Sequence, residues 1–461
     1  MSIAVTRSRF LTGISANVLG GAGSTIFNLL VPALLVKHLG KLEFSLWSLA
    51  LQVLVYLQIC GFGLQTAITK FIAQGNELND IVDQRKTVKA GLVLIAGSTL
   101  LAVGLVALLA ACYPLLFEDI PPSMVGEFRI CIAFLGLSAA GQLLAQVPAG
   151  IFIGLHRNFI PVLGLLTTRI IGLCVLAIML ENGAGLVTTV IMFSICAGLV
   201  VPLNYYALLR LRGGIFRTLA ALNLDRLIEL LRYCGGLTIW SVCMLFVSGL
   251  DMVLVGHYDF GKVAAYSLCA TAVTIFLGVM QAFMSPLLAI GSALFANPAR
   301  HVELPQLLIK SSQFCAGFLV MTVFAYFLIG RYALSLWIDT QYINDVRRIL
   351  SVLLVSVSIR NLMVPYSILL VAVGRHSGAF LPAIAEGAVN LIASLLLVRE
   401  YGAIGVAFAT VLGAIAGVLM SLFFVVDKVR VLFYSRTIFF KKIILLPACG
   451  LLSISLLGYF A

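Results

Sequence analysis

Twelve mainly apolar runs, each long enough to cross a bilayer, follow one another along the 461 residues, and no other feature restricts the fold as severely. They fall roughly at 12–36, 44–69, 90–117, 130–155, 159–181, 184–209, 233–257, 263–295, 313–338, 349–373, 378–398 and 401–426. A helix rises about 1.5 Å per residue, so about 20 apolar residues cross the hydrocarbon layer. In lipid every backbone N–H and C=O needs a partner within the segment, which leaves helices as the solution for such runs. The chain is therefore predicted to be an all-α polytopic membrane protein. A thirteenth run, Ile443 to Ala461, is long enough to span but ends with the chain, so twelve and thirteen transmembrane helices both stand.

Composition agrees: 62% of residues are hydrophobic, 10% are charged, and the mean hydropathy is +1.12. A soluble domain is about half apolar and a quarter charged, so a soluble fold is excluded. Arg7 and Arg9 precede a first run too long for a signal-peptide core, which predicts a retained first span. The 10 cysteines form no C-x-x-C and no Cys/His cluster, so neither a disulfide framework nor a metal site is indicated. No P-loop, H-E-x-x-H or G-x-S-x-G occurs, so the sequence points to no cofactor and no catalytic residue.

Net charge is +12, a value that in a soluble chain would suggest nucleic acid. Its distribution gives another cause. With the N-terminus inside, the inner segments carry 20 Lys and Arg and the outer ones 7; Arg169, Arg331 and Arg360 fall within runs. That asymmetry is the positive-inside bias, so the excess is topological and no nucleic-acid partner is expected. The chain is expected to cross its membrane many times, with the N-terminus in the cytoplasm. The outer loops are short, which disfavours a membrane glycosyltransferase or polymerase with catalytic extramembrane domains.

The chain is expected to divide into a six-helix bundle over 1–209, a cytoplasmic linker over 210–232, a second six-helix bundle over 233–426, and a basic segment over 427–461 with the possible extra span. In the linker Phe216, Leu219, Leu227, Ile228 and Leu231 recur at helical spacing opposite Asp225, Arg226, Glu229 and Arg232. This predicts an amphipathic helix at the membrane surface, where a simple tether is as good a reading as a regulatory one.

The halves resemble each other at one offset. Leu35, Val36, His38, Trp47, Ser48 and Leu49 match Leu254, Val255, His257, Tyr266, Ser267 and Leu268, all 219 positions later. Glu181, Gly183, Ala184 and Val187 match Glu400, Gly402, Ala403 and Val406 at the same offset, and Arg157 matches Arg375 at 218. An even number of spans per repeat gives both halves the same topology, related by an axis along the membrane normal, with a substrate handled in a central cavity between them. Two such bundles suit alternating access.

Three stretches carry a family resemblance: "LVKHLGKLEFSLWSLALQVLVYLQICGFGLQTAITKFIAQGN" from Leu35, "GIFIGLHRNFIP" from Gly150, and "AVGRHSGAFLPAIAEGAVNLIASLLLVREYGAIGVAFATVLG" from Ala372. Through them the chain resembles the polysaccharide exporters, the Wzx-type O-antigen flippases of the multidrug/oligosaccharidyl-lipid/polysaccharide superfamily. One departure lies in the second run, where the family often has an acidic residue and this chain has Gly61 after Cys60. The resemblance implies a cargo of undecaprenyl-diphosphate-linked oligosaccharide for O-antigen, lipopolysaccharide or exopolysaccharide. It further implies a cationic cavity, proton or sodium coupling, and partnership with polysaccharide polymerase or assembly proteins. A drug/cation antiporter and a lipid II flippase of the same superfamily are the other readings.

Charges inside the membrane then become site candidates, because each needs compensation. Arg169 lies about 15 Å along the fifth run, near mid-membrane, and Arg360 is similarly deep in the tenth. A guanidinium grips phosphate oxygens in pairs, so both suit an anionic headgroup, against the alternative of a salt bridge or a snorkelling chain. Arg331 lies nearer the outer surface and is expected to snorkel, with headgroup contact as its other role. Glu386, Asn390 and Ser394 share one face of the eleventh run, while Ser356, Arg360 and Ser367 form a stripe on the tenth. Glu386 can pair with Arg360 or, with Asn390, serve as an ion-coupling site. Asp251, in the outer third of the seventh run, reads first as a carboxylate hydrated from outside and second as a coupling site. His38 and His257, equivalent in the repeat, are expected to pack turns rather than to switch with pH. Pro32, Pro148, Pro286 and Pro365 lie inside runs and mark possible hinges.

Overall fold

The computed structural model describes the backbone of residues 3–61, 63–78, 80–116, 120–155, 157–212, 222–248, 250–296, 298–373, 380–425 and 432. Among these residues all regular structure is helical and no strand occurs. The helices are α1 (Ile3–His38), α2 (Lys41–Leu57), α3 (Leu64–Glu77), α4 (Ile81–Leu116), α5 (Val125–Leu143), α6 (Gln146–Gly154), α7 (Phe159–Glu181), α8 (Leu186–Gly198) and α9 (Val200–Arg212). They continue as α10 (Leu224–Ser248), α11 (Asp251–Tyr258), α12 (Val263–Ala296), α13 (Glu303–Trp337), α14 (Thr340–Asn361), α15 (Val364–Ala372) and α16 (Phe380–Met420).

Ten stretches of the described residues are long and apolar enough to cross a membrane. They hold eleven of the twelve runs, because Leu381–Phe424 joins the last two, and α10 with α11 covers the seventh. The possible thirteenth span, Phe216, Leu219 and Arg375 lie outside the described residues. Large apolar side chains such as Leu100, Met321, Leu328 and Leu336 point outward, as lipid permits and water does not.

The chain forms two compact units, Met1–Val242 and Cys243–Ala461, with the boundary inside α10. In the first, α1 packs on α7, α3 on α6, and α5 on α2, α4 and α8. In the second, α14 packs on α12 and α16, and α11 on α16. Of the ten stretches, the one holding α14 and α15 is the most enclosed, while those of α1 and α7 are among the least.

Several runs are broken inside the membrane, which hydrophobicity alone does not reveal. The second bends through a short 3₁₀ turn, Gln58–Gly61, and restarts after Gly63, whose φ of 63° is left-handed. The fourth and tenth break at repeat-equivalent places, before the nine-residue helices α6 and α15. Pro148 and Pro365 lie in those helices, where a missing N–H frees the carbonyl four residues back. For Pro365 that carbonyl belongs to Asn361, and Cys315 Sγ donates to it at 3.4 Å, so the break leaves no orphan there. The linker also differs from expectation: Leu224 to Arg232 is the opening of α10, continuous with the seventh span, and not a separate surface helix. Its apolar and charged faces are those of one long helix entering the bilayer.

The eleventh and twelfth spans join at Gly402, with φ 58° and ψ −140°, a backbone that L side chains rarely adopt. A Cβ there would also run into the carboxylate of Asp259, which accepts the Ala403 N–H at 3.0 Å. Gly402→Ala is expected to destabilise the protein by about 1–3 kcal/mol, read as a lowered Tm in detergent, whereas Gly183→Ala meets no atom and costs less. Equal effects at the two repeat-equivalent glycines would show that the Asp259 clasp is immaterial.

Candidate functional site

The six sequence-predicted site residues fall in three places. Arg169 stands on α7 in the first unit, facing α1. Small residues let the helices close: a Cβ on Gly20 would come within 3.0 Å of Val162, and one on Gly23 would overlap Leu166. Arg169 Nη1 donates to the Ser24 hydroxyl, which itself donates to the Gly20 carbonyl at 2.6 Å. The guanidinium also lies 5.3 Å from the centroid of the Phe27 ring. Both partners are neutral, and no carboxylate meets Arg169 among the described residues. A half-buried guanidinium held by a hydroxyl and a ring keeps its full charge and most of its five donors, which fits an anionic ligand.

Arg360 is placed differently. It stands at the end of α14 and forms an ion pair with Glu386 of α16, their side chains 25% and 11% exposed. Of the two roles open to Arg360 this geometry is the salt bridge, so its charge is already balanced. Gly417 makes the pair possible, since a Cβ there would lie 2.9 Å from Glu386 Oε2. Ser356, one turn before Arg360, is fully buried, and its hydroxyl finds no partner among the described residues.

Asp251 is not the hydrated carboxylate that its outer-third position predicts. It opens α11 beneath α16 and is buried. Asn390 Nδ2 donates to its Oδ1 at 3.1 Å, and Tyr266 Oη donates to its Oδ2 at 3.3 Å. Thr410 Oγ1 lies 3.3 Å from the same Oδ2 and 3.0 Å from the Val406 carbonyl, so its one proton serves either. Ser394 Oγ donates to Asn390 Oδ1 at 3.4 Å. Asn390 sits one helical turn from Glu386, and Gly413 admits both: a Cβ there would lie 2.9 Å from Asn390 Cβ and 3.0 Å from the Glu386 carbonyl. Asp251, Asn390, Glu386 and Arg360 thus form one polar cluster inside the second unit, holding two carboxylates against one guanidinium.

Arg331 belongs to neither place. It is exposed on α13 among the outward-facing Leu328, Ile329 and Tyr332, so it extends along the lipid face. His38 is exposed, with Nδ1 2.9 Å from the Leu34 carbonyl, a turn-packing contact. Tyr266 and Thr410 were not among the predicted residues. Tyr266 could have been found from the repeat, because it replaces Trp47 with a ring that carries a hydroxyl. Where the second run lacks the family's acidic residue, the Gln146 carboxamide of α6 fills the space beside Gly61, with Oε1 2.9 Å from where a Cβ would be.

The repeat shows how far the units differ. At the offset of 219 Asp251, Glu386 and Asn390 correspond to Pro32, Thr167 and Ile171, and Arg360 at 218 corresponds to Gln142. Arg169 corresponds to Ala388. The unneutralised guanidinium is therefore a property of the first unit, and the carboxylate cluster of the second.

No curated protein matches the chain. Among solved structures, an inward-facing multidrug-resistance MATE transporter of the MOP superfamily is similar at 14% identity and TM-score 0.74, over 88% of this chain and 94% of its own. The lipid II flippase MurJ in an inward-closed conformation is similar at 16% identity and TM-score 0.70, over 97% and 98%. A MOP superfamily transporter from Pyrococcus furiosus, reported with a binding pocket of reverse polarity, is similar at 15% identity and TM-score 0.58, over 91% and 94%. These likenesses show the fold. Residues 10–290, more than half of the sequence, match the family described as polysaccharide biosynthesis protein, and the chain belongs to that family.

Proposed function

We propose that this protein flips an undecaprenyl-diphosphate-linked oligosaccharide from the cytoplasmic to the periplasmic leaflet of a bacterial inner membrane by alternating access. The observation that carries the reading is Arg169: a guanidinium inside the membrane-spanning region, held by neutral groups, on one of the least enclosed spans. Such a group is costly in lipid unless an anion completes it, and a diphosphate supplies paired acceptor oxygens. The glycan would cross through water while the polyprenyl tail stays in lipid, so the protein need supply no catalytic group. The family membership supports a role in polysaccharide assembly, and the basic asymmetry of the loops supports a cytoplasmic N-terminus. O-antigen, lipopolysaccharide and exopolysaccharide repeat units are the cargo class, delivered toward a polymerase or assembly protein.

Deleting the gene in its host tests this. Lost surface glycan with accumulated lipid-linked precursor is expected; normal glycan with raised drug sensitivity would make the protein an efflux antiporter. The carboxylate cluster gives that second reading its one specific support, since carboxylates suit a cationic cargo.

In the reading we favour, that cluster is the coupling site. With Asp251, Glu386 and Arg360 all ionised it carries one negative charge in excess, which burial penalises until a proton or sodium ion balances it. Asp251→Asn removes the excess while keeping the shape. Transport by this variant is expected to lose its response to the proton or sodium gradient that drives the wild type. An unchanged gradient response in Asp251→Asn would remove the cluster from coupling.

A further inference from the structure

Three helices of the first unit, α3, α4 and α10, enclose a groove of about 250 Å³ away from Arg169 and its partners. Leu64, Val93, Leu94, Gly97, Leu101 and Leu231 line it, and Val93, Leu101 and Leu231 are themselves exposed, so it opens outward. A Cβ on Gly97 would meet no atom within 4 Å, which marks free space on the α4 wall. An apolar groove opening on lipid accepts a hydrocarbon chain.

One end of the groove is charged. On α4, Lys89, Val93, Gly97 and Leu101 follow at four-residue spacing on one stripe, so Lys89 stands one turn beyond the lining residues. On α3, Lys70 extends toward α10, its ammonium 4.3 Å from the Tyr233 ring centroid and 5.3 Å from that of Phe71. Tyr233 precedes Cys234, which also lines the groove. The neighbouring Arg226 is neutralised by Asp83 and by Glu229 at 2.7 Å. Lys70 and Lys89 meet no carboxylate among the described residues. This end of α3, α4 and α10 is the one that the basic asymmetry assigns to the cytoplasm, at headgroup depth.

We propose that the groove is a site for an anionic phospholipid of the cytoplasmic leaflet, its acyl chain between α4 and α10 and its phosphate against Lys70 and Lys89. The groove admits any acyl chain, and the two unneutralised ammonium groups select a headgroup of net negative charge over a zwitterion. The inference uses the orientation in the proposed function and is independent of the cargo.

The test is native mass spectrometry of the full chain in detergent, with equimolar phosphatidylglycerol and phosphatidylethanolamine of identical chains. Wild type is expected to retain phosphatidylglycerol in preference, by about fivefold for each lysine engaged. Lys70→Gln with Lys89→Gln brings the two lipids to parity, and Lys70→Arg with Lys89→Arg keeps the preference. Gly97→Leu fills the groove and lowers retention of both lipids. Parity in the wild type, or an undiminished preference in the double Gln variant, overturns the proposal. So does undecaprenyl phosphate displacing the phospholipid at equal concentration, which would make the groove part of the cargo path. Because no transport is measured, a failure of the flippase reading leaves every one of these results unchanged.

Discussion

Arg169→Ala, at normal protein levels, lowers export of the surface glycan by about ten- to a hundredfold and leaves lipid-linked precursor in the cytoplasmic leaflet. The magnitude is that of a charge-assisted hydrogen bond to a phosphate, about 1.5–3 kcal/mol, where each 1.4 kcal/mol is about tenfold. Arg169→Lys recovers part of the activity, because an ammonium keeps the charge and loses the paired geometry. Ser24→Ala separates binding from packing. It removes the hydroxyl that orients the guanidinium while leaving the charge, so the expected loss is smaller than for Arg169→Ala. Quantifying surface glycan and precursor in a complemented deletion strain reads all three. Full export by Arg169→Ala would detach the cargo from this residue.

The Arg360–Glu386 pair is expected to dominate the stability of the second unit. Removing either partner leaves a largely buried charge without compensation, a loss of about 3–5 kcal/mol. Glu386→Ala and Arg360→Ala should therefore each lower the detergent Tm sharply, and the double variant should cost less than the sum of the two. The same cycle distinguishes a structural bridge from a coupling carboxylate. If Glu386 acts only as the partner of Arg360, the double variant regains gradient-driven transport along with its stability. If Glu386 also carries the ion, stability returns and the gradient response does not. Additive destabilisation would show that the two side chains do not act as a pair.

Much of the fold was legible because lipid imposes it. Each of the runs that the structure describes needed only enough apolar residues and no internal break in hydrophobicity, and that is a local property. The repeat was legible for a similar reason: Val36, Trp47 and Leu49 are buried in one unit as Val255, Tyr266 and Leu268 are in the other, so selection for the same packing left the same residue types. Breaks within spans were not legible. Bending at Gly63 or before α6 changes the backbone without changing hydropathy, and most glycines in such helices merely allow close packing.

The candidate site was legible in its residue types and less so in their partners. Burial cost singled out Arg169, Arg360, Glu386 and Asp251, and helical spacing put Asn390 on the face of Glu386. Whether Asp251 faced water or protein depended on α11 lying under α16, which joins residues 139 and 159 positions apart through Asn390 and Thr410. No local pattern encodes that contact. Thr410 is a hydroxyl in the middle of an apolar run, where threonine is ordinarily satisfied by the carbonyl four residues back, as Thr410 can also be.

The claim that this protein moves a lipid-linked glycan is tested most directly in proteoliposomes holding the purified chain and an undecaprenyl-diphosphate-linked oligosaccharide. An impermeant glycosidase or lectin added outside reports how much of the glycan is accessible. With an imposed proton or sodium gradient, accessibility is expected to rise beyond the fraction present at reconstitution, and Arg169→Ala is expected to suppress the rise. Accessibility that stays at its initial value under either gradient, with the protein shown to be folded, would contradict the claim.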